Sequence, residues 1–186
     1  MACTGSTDRD PLLPDEERVD FFVPLGVAIE TEYMSLSDIH TWADKAVSMF
    51  LRPKAWVIEL ACCGSIDKAF DIVCSTECRD VCGAIFDSGR LCLGFHLLKF
   101  RENRISVADL ESYFVDEVDP CNVDGWDPEG IGEFFRRFYP SDAELIAEIE
   151  RKFGAYGDEA ARAYRYLQSD KCRADHVDCF SHAAAL

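Results

Sequence analysis

Three times along this chain a serine stands three residues ahead of an acid at the head of an apolar stripe with helical spacing: Ser35 with Asp38, Ser106 with Asp109, and Ser141 with Glu144. In that arrangement the hydroxyl accepts the third backbone N–H of a new helix, and the acid reaches back to the serine's own N–H. Two donors that would otherwise lack partners are satisfied at once. Ser65 offers the same hydroxyl cap, and Asp127-Pro128-Glu129 is a further helix start, with Asp at the cap, Pro at the first position and an acid in the first turn. No pair of segments carries a hairpin signal. These signatures predict an all-α chain, a compact array of about eight helical segments to which minor strands could be added.

The apolar spacing fills in the array. Ile39, Trp42, Ala43, Ala46, Val47 and Phe50 line one face of a helix from Ser35 to Leu51, and Pro53 either ends it or starts the next. Ala55 to Cys62 is short and almost wholly apolar; a buried strand would fit it, but Ala, Glu and Leu favour a helix there. Ile66, Ala69, Phe70 and Val73 form the stripe after Ser65, and a short unit follows over Glu77 to Phe86. Leu91 to Phe100 reads as a central helix, weakened by Gly94. Ser106 opens Val107 to Val115, and the helix from Pro128 stops before Pro140. Leu145, Ile146, Ile149 and Phe153 face one way after Ser141, Gly157 ends that helix, and Asp158 to Gln168 forms the last one. Phe21 to Ile29 is either a helix or an extended entry segment. The domain expectation is a flexible acidic arm over 1–20, a single helical domain over 21–168 and a loosely held Cys/His-containing tail over 169–186.

Charge bears on function more than on fold. Nineteen Lys and Arg face 35 Asp and Glu, a net of −16 over 186 residues. From Ser106 to Glu159 fifteen acids meet four bases, a local net of −11. Such a field speeds encounter with a basic partner and repels phosphates, so direct nucleic-acid binding is excluded as an expectation. It also disfavours an acidic membrane surface. No basic start followed by an apolar run opens the chain, and no apolar stretch of membrane length occurs, so a cytoplasmic location is expected. The ten cysteines then read as reduced thiols rather than a disulfide framework.

Candidate chemistry is sparse. Cys74, Cys78 and Cys82 are spaced by four and would share a helix stripe, where small thiols pack as hydrophobes. Cys62, Cys63 and Cys92 read the same way. Cys172, His176, Cys179 and His182 place two thiols and two imidazoles within eleven residues, and zinc is the ion such a set would suit. No resident cofactor is otherwise implied. His40, expected exposed, and His96, expected packed, are the histidines of the core region, and a cysteine beside His96 is the one nucleophile arrangement to consider. Glycine-rich phosphate loops are absent. A binding patch is the stronger candidate. Asp116, Glu117, Asp119, Asp124, Asp127 and Glu129 surround Trp126, acids to steer a basic partner and an aromatic to anchor it.

The order of motifs resembles an uncharacterised bacterial domain family of small, acidic, largely helical proteins. The resemblance is carried by YMSLSDIHTWADKAV over Tyr33 to Val47, by Ile58 to Ala61, by the apolar Leu91 to Phe100, and by DGWDPEGIGEFFRRFYPSD over Asp124 to Asp142. It spans about two thirds of the chain. It implies an inhibitor of the immunity-protein kind, neutralising a co-encoded basic toxin or nuclease, and it carries over no catalytic residue. The expectation is therefore a non-catalytic acidic binding protein. A cysteine-based zinc-binding or redox-sensing protein, and an enzyme with an unrecognised site, are the alternatives.

Overall fold

The computed structural model describes residues 22–75, 88–114, 141–170 and 172. These residues form seven helices and no strand: α1 Phe22–Glu30, α2 Leu36–Met49, α3 Ala55–Ala61, α4 Ile66–Ser75, α5 Ser88–Arg101, α6 Val107–Ser112 and α7 Asp142–Gln168. The two predicted segments over 77–86 and 128–138 lie outside the described residues, as do the arm and the acidic loop. All three Ser-x-x-acid signatures are realised as complete capping boxes at α2, α6 and α7. The Ser65 hydroxyl likewise accepts the backbone N–H of Lys68 at 3.1 Å to start α4.

Central to the array is α5, whose residues from Leu91 to Lys99 are buried except Cys92. A helix that is apolar all round needs neighbours all round, and α5 has them. Leu91, Phe95 and Leu98 join a large core with α1, α2, α3, α4 and the C-terminal half of α7. Leu93 and Leu97 join a smaller one with Leu110, Phe114, Leu145, Ile149 and Phe153. Between the two, the backbones of α5 and α7 touch. A Cβ on Gly94 would stand 2.3 Å from the Tyr156 carbonyl oxygen and 2.9 Å from the Ala160 Cβ. The glycine read as a weakness in the helix is the point at which the crossing closes.

One boundary is corrected. Gly157 does not end a helix, because α7 runs through it for 27 residues. The reason lies on α5. The Arg101 guanidinium lies along α7 where Gly154 and Gly157 bear no side chains, and a Cβ on Gly157 would come within 2.7 Å of its Nη1. Arg101 donates to Glu150 at 2.9 and 2.6 Å, to Asp158 at 3.0 Å and to the Gly154 carbonyl at 3.2 Å. Interior glycine costs a helix about 1 kcal/mol, and this forked clamp across the would-be break offsets it.

The entry segment left open in sequence is helical. The C-terminal end of α1 carries no basic residue of its own; its last carbonyls accept the backbone N–H groups of Thr31, Glu32 and Met34, and the carbonyls of the turn that follows are met by cations on and just after α5. The Lys99 ammonium donates to Thr31 O at 2.9 Å, and Arg104 donates to Tyr33 O at 3.0 Å. Cations at a helix C-terminus complement its dipole.

Candidate functional site

Where α3 gives way to α4 the chain turns through Cys62, Cys63 and Gly64 before Ser65 caps the next helix. Cys62 closes α3 at φ −109° and ψ 0°, its N–H directed at the Glu59 and Leu60 carbonyls. The turn separates the two thiols. Cys62 is exposed, which corrects the expectation that both pack, whereas Cys63 is buried. The Cys63 thiol donates to the Leu60 carbonyl at 3.1 Å.

His40 of α2 lies over this turn. It is half-buried rather than exposed as expected, because its Nε2–H donates to the Cys63 carbonyl at 2.8 Å. The same nitrogen is 3.7 Å from the Cys63 sulfur. Sequence reasoning missed this pair. The available signal was that His40 borders the apolar stripe of α2 and that α2 and α3 are consecutive helices joined by a short loop.

The chemistry of the pair in this state is not that of an activated nucleophile. The imidazole nitrogen facing the sulfur carries a proton held by the carbonyl, so it cannot accept one from the thiol. Burial pushes the Cys63 thiol up from its ordinary value, which further disfavours the thiolate.

The second buried polar group centres on His96, which is packed as expected and only 3% exposed. Its ring stacks on Tyr113 at 3.7 Å between centroids. Burial, and then the Lys99 ammonium, push it down to about 4, so the ring is neutral near pH 7. Its Nδ1 is buried with no hydrogen-bond partner.

Asp116, Glu117, Asp119, Asp124, Trp126, Asp127 and Glu129 lie outside the described residues, as do His176, Cys179, His182, Cys78 and Cys82. Cys172 is buried in the larger core, its N–H donating to the Ser169 hydroxyl at 3.1 Å. Cys74 is half-buried. No preassembled group of three or more His, Cys, Asp or Glu side chains suited to a metal ion stands among the described residues. No helix among them is long and apolar enough to cross a membrane.

Several acids of the described part have local duties. Asp109 and Glu144 complete caps, Glu150 and Asp158 hold Arg101, and Glu148 pairs with Arg151 and Lys152. No protein-family model matches this chain, and no curated protein and no solved structure matches it.

Proposed function

We propose that this chain is a non-catalytic acidic binding protein that captures a basic protein, in the manner of an immunity protein covering a toxin or nuclease. The observation that carries the reading is the charge: −16 in all, with −11 between Ser106 and Glu159. The seven acids of that span that fall within 115–140 have few local bases to pair with, because only Arg136 and Arg137 share the segment. The eight acids outside it include those already engaged in caps and ion pairs. An excess of carboxylates of this kind steers a cationic partner and can occupy sites built for phosphate. Asp116, Glu117, Asp119, Asp124, Asp127 and Glu129 supply the steering in this reading, and Trp126 supplies the anchor. Nucleic acid and anionic membranes are repelled by the same field.

The test is kinetic. A basic protein retained by the full chain at low salt is identified, and its association is followed as salt is raised. Neutralising the six acids together (D116N, E117Q, D119N, D124N, D127N, E129Q) lowers the association rate roughly tenfold or more and flattens its salt dependence. An association rate and salt slope unchanged by the six substitutions would overturn the assignment.

A further inference from the structure

We propose that the exposed apolar and basic face where α2 passes into α3 is a docking surface for an acidic, leucine-bearing segment, and that its occupant is the chain's own Asp10–Glu17, which lies outside the described residues. The three large apolar side chains that stand exposed among the described residues, Met49, Leu51 and Ile58, fall within ten residues of sequence. Leu51 is 100% exposed. The backbone brings it out: α2 stops at Met49, Phe50 leaves in an extended conformation, and Pro53 disfavours a helical Arg52. On α3 the buried positions are Trp56, Val57 and Leu60, so Ala55, Ile58 and Cys62 carry an apolar stripe outward at helical spacing. From Lys45 to Ile58 there are three bases, Lys45, Arg52 and Lys54, and no acid, in a chain whose net charge is −16. Exposed apolar side chains grouped in this way mark a contact surface, and the local charge selects an acidic occupant.

Asp10–Glu17 has the matching chemistry. Asp10, Asp15, Glu16 and Glu17 flank Leu12 and Leu13, and no base interrupts them. It also has the reach, because the chain enters the described fold beside this face. The Phe22 ring stands 5.5 Å from the Trp56 ring, and Lys54 and Ile58 are each two residues from Trp56. Leu51, five residues from Trp56, is at most about 18 Å from it along the chain. Leu13 and Phe22 are nine residues apart, and a chain of that length spans up to roughly 30 Å. The contact itself is weak, since it has few apolar side chains and its ion pairs are exposed ones. A tethered segment fills such a site where a free partner would not, because its effective concentration is of millimolar order. The four acids are not those assigned to the basic partner, so this inference stands or fails separately from the partner-binding reading.

Zero-length carbodiimide coupling reads the contact on the full chain, because it joins a lysine amine only to a carboxylate that touches it, and peptide mass spectrometry locates the bond. In dilute protein at low salt, Lys54 is expected to couple to Asp15, Glu16 or Glu17. Leu51→Ser, at a fully exposed position, and the pair L12S and L13S are each expected to lower that yield roughly fivefold or more. Helical content by circular dichroism stays unchanged in both, and raised salt lowers the yield of the parent. An equimolar mixture of unlabelled and nitrogen-15 chains separates the occupants. Bonds confined to one isotopic chain support docking of the chain's own segment, whereas bonds between light and heavy chains would assign the face to a second copy and overturn it. Coupling of Lys54 to acids of 115–140 instead, no coupling at all, or a yield indifferent to the leucines would overturn it too.

Discussion

A buried imidazole with an unpartnered nitrogen leaves a signature in the pH dependence of stability. His96 titrates at about 4 in the fold, because burial and then the Lys99 ammonium disfavour its cation. In the unfolded chain it titrates near 6.5. Above that value the ring is neutral in both states and contributes no slope. As pH falls below it, the unfolded chain takes up a proton that the fold refuses, and stability declines until the folded group also titrates. The full loss is roughly 3 kcal/mol across that window. His96→Phe keeps the stack on Tyr113 and removes both the titration and the unpartnered Nδ1. Urea unfolding of the two chains between pH 7 and pH 4 is expected to show the variant losing less stability than the parent. Parallel curves would show that His96 is not held neutral by the fold.

At the scale of elements, what was legible in sequence was whatever depends on neighbours in sequence. Ser35, Ser106 and Ser141 opened their helices as read, because a cap is a contact across three residues. What stayed hidden depends on another helix. Gly157 looks like a stop until Arg101 is laid along α7, and His40 looks exposed until the Cys63 carbonyl is placed above it. The acids around Trp126 lie outside the described residues, and in sequence they are a matter of composition only, since charge alone places no side chain.

Gly94 separates the two kinds of reasoning by the sign of an effect. Propensity alone predicts that alanine there gains about 1 kcal/mol. The crossing predicts a loss, because the new methyl would meet the Tyr156 carbonyl oxygen at 2.3 Å and a backbone atom cannot swing aside. Gly94→Ala is expected to cost about 3 kcal/mol, by forcing α5 away from α7. Chemical denaturation reads the difference directly, and a variant as stable as the parent would mean the helices do not cross so closely.

For the whole molecule, 35 acids against 19 bases leave sixteen negative charges unbalanced under any arrangement of pairs. Their mutual repulsion opposes the compact state. Salt acts on two opposed terms. It weakens the Arg101 clamp and the Glu148 pairs, but exposed pairs contribute only about 0–1 kcal/mol each. It also screens repulsion among the excess acids, which extends about a Debye length, roughly 10 Å at 0.1 M. The second term involves more charges and wins. The melting temperature is therefore expected to rise by several degrees as sodium chloride goes from about 10 mM to about 150 mM. Over the same range, affinity for a basic partner falls, since the field that steers the partner is the one being screened. Melting curves and binding isotherms on one salt series thus move in opposite directions. A melting temperature that falls with salt would mean that paired charges dominate the surface, leaving too little unbalanced field to draw a basic partner in.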